Sequence, residues 1–298
     1  MLKNIELPVI VSPMFLISNP EMVIECCKNG VIGSFPFTNA RTIEILERWI
    51  NTIKNELKEQ LCSTPWAANV ITHSSYAKFD EELALISKYK PPIVITALGS
   101  PKRVIKTVKE YGGLVFADVN SIKYAKKCAE TEVDGLILIC SGAGGHTGNL
   151  SAFVFVNEVR KFWDGIIILA GGISTGSAIK SALVLGADYA YMGTRFLASK
   201  ESTADDEYKE MVIKATSNDI ITTKSITGVS GNFLIPSLKQ SGFDIDNLKD
   251  AKIDFKEYKD ERKAWRDVWS AGQGVGDITK KETVSEIIKK LKEEYKNE

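Results

Sequence analysis

An eight-residue loop, Ser141–Gly148, combines four glycines with one of only two histidines in this 298-residue chain. The loop directly follows an apolar run, Leu136–Cys140, which is typical of a fully buried strand. Glycine lets a backbone turn sharply and approach a flat or anionic ligand closely. The histidine, His146, can transfer protons near neutral pH. A strand that ends in such a loop predicts a small-molecule site with its own acid/base group.

Eight short apolar, β-branched runs recur along the first 200 residues and alternate with segments of helical periodicity. Strict alternation of strand and helix predicts a parallel sheet with helical crossovers. Eight such units, each about 20 to 35 residues from strand to strand, favour a closed (β/α)8 TIM barrel within the α/β class. The runs are Val9–Val11, Val31–Phe35, Trp66–Val70, Ile93–Thr96, Leu114–Ala117, Leu136–Cys140, Ile166–Ala170 and Tyr189–Met192.

The residues from Glu201 onward break this alternation. They contain a charged, helix-rich stretch (Asp244–Glu261), a glycine-rich segment (Trp269–Gly276) and an amphipathic helical pattern (Lys280–Lys296). No Pro/Gly/Ser-rich linker separates them from the barrel. We therefore expect a single domain over residues 1–298, with the barrel at about 5–200. Residues 201–298 would form a helical and glycine-rich C-terminal extension, or lid, over one face.

Charge and hydropathy exclude several classes of function. Lysine plus arginine and aspartate plus glutamate number 38 each, so no net field attracts nucleic acid or an anionic membrane. The apolar runs fall well short of the roughly 18 residues that span a bilayer, and no signal-peptide core is apparent. The five cysteines include no C-x-x-C pair and no metal-ligand spacing. We expect a cytoplasmic protein with a small-molecule partner and no metal; homo-oligomer formation stays open.

If the barrel prediction holds, the carboxyl ends of the strands form the functional face. The first strand ends in Ser12–Met14, the third in Asn69 and the sixth in the loop with His146. The seventh and eighth strands end in Gly171–Gly172 and Gly193–Thr194. Loops at these two positions, with backbone N–H groups at a helix start, are the usual phosphate cradle of such barrels. They predict a ligand that carries a phosphate group.

Each of these residues also has a purely structural interpretation. The two glycine loops could be tight turns without a ligand, and Met14 a core residue. Asn69 could cap a loop, although a strand-end position favours ligand contact. A lone histidine is more often structural than catalytic, but the position of His146 among glycines favours chemistry. His73, just beyond Asn69, could face the same pocket but has no glycines around it.

In combination, these motifs resemble the FMN-dependent nitronate monooxygenase family, formerly called 2-nitropropane dioxygenase. That family includes NADH:quinone reductases and is similar to type II enoyl-ACP reductases. The resemblance covers almost the whole chain and implies a TIM barrel that holds FMN, with the phosphate between the two glycine loops. It rests on Ser12–Met14, Ala143–Gly148, Ala170–Ile173, Gly186–Asp188 and Met192–Phe196.

The resemblance also implies a set of site residues. His146 would face the reactive side of the flavin, and Met14 and Asn69 would lie near it. Ser270 is a candidate for holding substrate oxygens, and His73 is a second candidate for substrate binding. The expected cofactor-binding residues are Pro13, Met14, Asn69, Asp118, Gly144, Gly145, Gly171, Gly172, Met192, Gly193 and Thr194.

Two positions depart from the family pattern. Many relatives have a lysine at the end of strand five, where this chain has Asp118, and an acidic residue where it has Gly142. A carboxylate in place of an ammonium group near a flavin changes the electrostatics of the ring and hence its reduction.

The resemblance implies oxidation of alkyl nitronates, in which FMN accepts electrons, O2 reoxidises it, and a carbonyl compound and nitrite form. His146 would stabilise the anionic substrate when protonated, or abstract the α-proton of a neutral nitroalkane when neutral. One alternative is an NAD(P)H-dependent reductase of quinones or enoyl thioesters on the same flavin barrel. Another is a non-catalytic barrel that binds flavin or another phosphate ligand, with His146 as a structural residue.

Overall fold

The computed structural model describes residue 2, residues 4–251 and residues 267–297. Eight parallel strands make up the main sheet, and three short strands form a second sheet beside it. The strands are β1 (Val9–Val11), β2 (Ser34–Pro36), β3 (Ala67–Ile71), β4 (Ile93–Ala97), β5 (Leu114–Val119), β6 (Gly135–Ile139), β7 (Gly145–His146), β8 (Ile166–Ala170), β9 (Tyr189–Met192), β10 (Ile220–Thr223) and β11 (Gly231–Leu234).

Helices follow the strands of the main sheet in alternation, as expected for parallel crossovers. In addition, 3₁₀ turns occur at Phe37–Asn39, Thr194–Phe196, Ser217–Asp219, Ile245–Asn247 and Gln273–Asp277. The helices are α1 (Pro20–Lys28), α2 (Ile43–Glu59), α3 (Phe79–Tyr89), α4 (Lys102–Glu110), α5 (Ile122–Ala129), α6 (Ala152–Arg160), α7 (Gly176–Leu185), α8 (Asp206–Lys214), α9 (Ile235–Gln240) and α10 (Val284–Asn297).

The main sheet closes into a barrel. Its order is β1-β9-β8-β6-β5-β4-β3-β2, and a parallel bridge between Ile10 and Ile32 joins the two ends. The Val11 N–H donates to the Ile32 carbonyl at 2.8 Å, and the Ile32 N–H donates to the Val9 carbonyl at 3.0 Å. The prediction of a (β/α)8 TIM barrel is confirmed.

The second strand differs from the prediction of Val31–Phe35. Ile32 pairs with β1, whereas Ser34–Pro36 pair with β3, so the strand is split at Gly33. A Cβ at Gly33 would lie only 2.5 Å from the carbonyl oxygen of Val23 on α1. The break lets the chain switch partners while helix α1 packs closely against it. The other seven predicted runs agree with the structure to within two residues at each end.

Apolar side chains fill both the inside of the barrel and the space between strands and helices. Along β9, Tyr189 and Tyr191 belong to the inner cluster, whereas Ala190 and Met192 pack toward the helices. This follows from the two-residue period of a strand. The inner cluster also contains Ile10, Ile32, Ala67, Ile93, Ile95, Phe116, Ile137, Ile168 and Ala170.

The C-terminal region packs directly on the barrel. Helix α10 contacts α7 and α1. It begins at Val284, four residues later than the predicted Lys280, because Thr283 and Glu286 form a reciprocal cap at 3.1 and 2.7 Å. The predicted helix-rich stretch Asp244–Glu261 shows a 3₁₀ turn at Ile245–Asn247, and its residues 252–261 lie outside the described residues. Within the described ranges, no helix is both long and apolar enough to cross a bilayer.

Candidate active site

A cavity of about 700 Å³ opens at the carboxyl ends of the barrel strands. This volume lies within the range of small-molecule sites, and this end of a TIM barrel is where such sites form. Nearly all the residues predicted for the site line the cavity, although their individual roles stay predictions. They are Pro13, Met14, Asn69, His73, Asp118, Gly144, Gly145, His146, Gly171, Gly172, Gly193, Thr194 and Ser270.

Met192 is the exception, because its side chain is fully buried among the residues between barrel and helices. Its backbone carbonyl accepts a hydrogen bond from the Ser12 N–H at 2.9 Å. The structure therefore does not support a side-chain contact between Met192 and a ligand. The neighbouring Tyr191 faces the cavity instead. The period of the strand could have identified Tyr191, since Tyr189 and Tyr191 alternate with two outward residues.

The loop after β8 requires glycine for conformational reasons. Gly171 and Gly172 have φ angles of +124° and +69°, a region of backbone conformation that residues with a side chain rarely adopt. A Cβ at Gly172 would meet no atom within 4 Å, so open space lies beside this loop. The start of α7 is already satisfied, because the Gly176 N–H donates to Glu294 Oε2 at 2.8 Å. A phosphate in this region would have to be held by the loop amides, not by the α7 N-terminus.

The glycine-rich C-terminal segment docks on three of the strand-end loops. The Gly272 N–H donates to Thr194 Oγ1 at 2.9 Å, and the Gln273 N–H donates to the Gly142 carbonyl at 2.9 Å. Ser174 Oγ donates to the Gly274 carbonyl at 2.8 Å. These contacts join the loops after β6, β8 and β9. Their partners were not predicted, because nothing local in the sequence pairs positions more than 75 residues apart.

His146 lies on β7, which pairs with β11 of the C-terminal region. Its Nε2 lies 3.4 Å from Thr227 Oγ1. Burial lowers the pKa of this imidazole to about 4 because desolvation disfavours the charged ring. The ring is therefore neutral at neutral pH. The next residue, Thr147, anchors the loop by donating from Oγ1 to the Cys140 carbonyl at 2.9 Å.

The two residues predicted to bind substrate lie on the cavity wall. His73 Nδ1 lies 2.7 Å from Ser75 Oγ, and Arg103 Nη1 donates to the His73 carbonyl at 2.9 Å. Ser270 is fixed through its backbone, because its N–H donates to Tyr208 Oη at 3.2 Å. The Tyr208 ring in turn stacks on Trp269, with ring centroids 5.0 Å apart. These contacts hold Ser270 at the cavity through two stacked aromatic rings.

Two polar side chains, Asp118 and Tyr191, mark the floor of the cavity. Asp118 Oδ1 and Tyr191 Oη are buried and have no hydrogen-bond partner within the part of the chain that the structure describes. Burial raises the pKa of Asp118 to about 7. Unpaired buried polar atoms are costly, so a ligand with a polar edge would supply hydrogen bonds that the described residues do not.

The protein is thus a TIM barrel with a small-molecule cavity at the carboxyl ends of its strands. Glycine loops line one side of this cavity, a histidine lies in its wall, and two polar side chains lie at its floor. The family model for nitronate monooxygenase matches residues 1–294, and the chain belongs to this family. It is therefore a flavin-dependent oxidoreductase. The non-catalytic alternative is set aside, because this is a family of enzymes.

Among curated relatives, the chain is 27% identical over 245 residues to an octahydroindene-carboxyl-CoA dehydrogenase of Rhodococcus jostii, which covers 81% of this chain and 67% of that one. It is 25% identical over 284 residues to a nitronate monooxygenase of Paraburkholderia phytofirmans, covering 82% and 77%. Among solved structures, FabK of Thermotoga maritima superposes with a TM-score of 0.82 at 26% identity and covers 98% of this chain and 94% of that one.

The residues present fit a flavin. The cavity is large enough, the Gly172 loop leaves space beside its backbone, and the unpaired oxygens on the floor suit a flat ring with a polar edge. No lysine or arginine is among the described residues that line the cavity. A phosphate there would depend on backbone N–H groups.

Proposed function

We propose that this protein is an FMN-dependent nitronate monooxygenase that oxidises alkyl nitronates with O2 to a carbonyl compound and nitrite. The observation that carries the proposal is the position of His146: a half-buried imidazole, neutral at neutral pH, lies in the wall of the cavity that the glycine loops line, where it could convert a nitroalkane into the nitronate that is oxidised. Family membership and the similarity to the Paraburkholderia enzyme support the reaction class.

FMN, when bound, supplies the electron transfer to and from substrate and O2. The amides of Gly171–Gly172 and Gly193–Thr194 would hold its phosphate. Met14 and Asn69 would contact the ring system, together with the other expected cofactor-binding residues Pro13, Gly144 and Gly145. The C-terminal segment that docks on Thr194 and Gly142 would hold these loops together.

His146 would act as the base. A neutral imidazole can accept the α-proton of a nitroalkane at Nε2 or Nδ1, whereas it offers no positive charge to a nitronate. Thr227 beside Nε2 would orient the ring. Ser270 and His73 would bind the nitro oxygens.

A second candidate is an NAD(P)H-dependent reductase of quinones or enoyl thioesters. One observation favours it: no cation lines the cavity among the described residues, and Asp118 is the one carboxyl group that does. Nothing there neutralises a nitronate, so an uncharged substrate would be favoured electrostatically. The similarity to a CoA-ester dehydrogenase agrees with this.

Anaerobic mixing of the flavin-loaded protein with either a nitronate or NADH tests the proposal. We expect the nitronate to bleach the flavin absorbance and NADH to leave it unchanged on the same timescale. Rapid bleaching by NADH alone would establish the reductase in its place. A purified protein that takes up no FMN would contradict both candidates.

A further inference from the structure

Two polar oxygens on the cavity floor have no hydrogen-bond partner among the described residues. Asp118 is at the end of β5 and Tyr191 is on β9, and both point into the barrel. Asp118 Oδ1 and Tyr191 Oη are buried and lack hydrogen bonds within the described residues. The two groups interact through space, because burial and then the charge of Asp118 raise the pKa of Tyr191 well above its usual value.

Among the described residues that line the cavity, no cation compensates the charge of Asp118. On β6 its register partner is Ile137, and on β4 Thr96 pairs with the preceding residue Ala117; neither Ile137 nor Thr96 titrates. From α5 it faces the Cys128 thiol, whose pKa is raised by burial and by the Asp118 charge. The other titratable groups of the cavity lining are His73, Tyr124, His146 and Tyr191. No lysine or arginine is among the described lining residues, so an ionised Asp118 is the one full charge at the floor.

We propose that Asp118 is the proton acceptor that offsets the negative charge gained by the bound flavin on reduction, with Tyr191 as its neutral, non-titrating neighbour. The inference rests on the flavin site of the proposed function. Asp118 thereby becomes a group that couples the redox state of the cofactor to the protonation of the protein.

Reduction of the bound flavin would involve two electrons and two protons. In a two-electron reduction, by NAD(P)H or by an electrode, a bound flavin would gain two electrons and one proton, and would retain one negative charge near and above neutral pH. A second proton from solvent forms an O–H bond with the Asp118 carboxylate. On reoxidation by the electron acceptor, the ring loses its charge and Asp118 releases that proton to solvent.

The pKa of Asp118 is expected to rise on flavin reduction for an electrostatic reason. A carboxylate in a buried site without a counter-cation gains proton affinity when a second negative charge appears close by. Burial already places the pKa of Asp118 at about 7. The group is therefore partly ionised at neutral pH, and its ionised fraction can take up a proton. Two interacting sites of this kind titrate as a coupled pair. Tyr191 stays protonated throughout, since its pKa is far above neutrality.

The test is the flavin reduction equilibrium, measured by spectroelectrochemistry between pH 7 and 9 in the flavin-loaded full chain. At pH values well above 7, where Asp118 is ionised before reduction, two protons are taken up per two electrons, and we expect the equilibrium constant of the wild type to change by about 100-fold per pH unit. In Asp118→Asn it should change by about tenfold. Tyr191→Phe, which removes the phenol but no titrating proton, should keep the wild-type slope.

Equal slopes in the wild type and Asp118→Asn would overturn the inference, as would a Tyr191→Phe slope equal to that of Asp118→Asn. A second measurement needs no variant: the reduced-minus-oxidised infrared difference spectrum of the wild type should show a carboxylic acid band appear, and its absence would also overturn it. A wild-type protein that binds no flavin would instead defeat the proposed function. A flavin-loaded protein with equal slopes defeats this inference alone.

Discussion

His146 is the residue on which the proposed chemistry depends most directly. Its pKa of about 4 leaves a neutral ring across the physiological range, because the charged ring would be desolvated between β7 and the barrel wall. A neutral nitroalkane must lose its α-proton before oxidation, whereas a nitronate has already lost it. The two substrates therefore separate the role of a base from the role of a binding group.

We predict that His146→Gln lowers turnover of a neutral nitroalkane by roughly 10²- to 10⁴-fold, the usual contribution of a general base. Turnover of the preformed nitronate should change far less, and the flavin spectrum should stay the same. Steady-state kinetics with both substrates measure this. In the wild type, the contribution of His146 should be constant above about pH 5 and decline as pH falls through 4. An equal loss for both substrates would assign His146 to binding.

At the scale of elements, the glycine-rich C-terminal segment packs closely on the barrel loops because it has glycine at the point of contact. A Cβ at Gly272 would lie 2.5 Å from the Gly142 carbonyl and 2.9 Å from the Gly144 nitrogen, both backbone atoms. Four residues further on, a Cβ at Gly276 would meet nothing within 4 Å. The same segment thus contains one glycine that packing requires and one that it does not.

Gly272→Ala should therefore lift the segment off the loops after β6 and β9. We predict a loss of about 1–3 kcal/mol in the free energy of unfolding, as for other overpacked positions, together with weaker flavin binding. Gly276→Ala, the matched control, should change either quantity by less than about 0.5 kcal/mol. Urea unfolding and flavin titration of the two variants give the comparison. Similar effects of both substitutions would mean that close packing at Gly272 is unimportant.

The barrel strands were predictable because parallel strands buried on both faces appear as continuous apolar runs. The residues that line the cavity were predictable from the strand positions, since the carboxyl ends of barrel strands meet on one face. Strand β7 was not predicted, because Gly145–His146 pairs with Gly231–Asn232, far along the chain, and has no local strand signal. Met192 is the predicted cofactor-binding residue that does not line the cavity, because the strand period turns its side chain toward the helices; its role stays a prediction.

Over the whole molecule, the C-terminal region is fastened to the barrel by a buried ion pair. Arg195, directly after Thr194, lies 2.8 Å from Glu282, and both side chains are more than nine-tenths buried. Burial alone would raise the pKa of Glu282, but the hydrogen bond and charge of Arg195 outweigh it and lower the pKa. Further links join Lys292 to Glu6 and Ser285 to Asn29. These contacts favour a single domain, which stays a prediction.

Glu282→Ala leaves the Arg195 charge buried without a partner. We predict a loss of about 3–5 kcal/mol in the free energy of unfolding, with weaker flavin binding because Arg195 adjoins the Thr194 loop. Lys280→Ala removes a largely exposed cation 3.6 Å from the same carboxylate and should have little effect.

The ion pair also makes stability depend on pH. Because the pKa of Glu282 is lowered in the fold, its contribution to the free energy of unfolding is present above about pH 4.5 and lost on acidification. Chemical denaturation at pH 7 and pH 4 measures both effects, and equal losses for the two variants would contradict the prediction.

The closure of the barrel has a consequence for its motions. Among the described residues, one backbone bridge, between Ile10 and Ile32, and a hydrogen bond from Ser34 Oγ to the Val11 carbonyl join β1 to the segment that contains β2, whereas the other neighbouring strands pair over three to five residues. The barrel therefore closes through fewer backbone hydrogen bonds here than between its other strands, and we expect local opening fluctuations at this junction. Ser12–Met14, which line the cavity, follow directly after β1. A fluctuation that opens this junction would therefore also move one wall of the cavity.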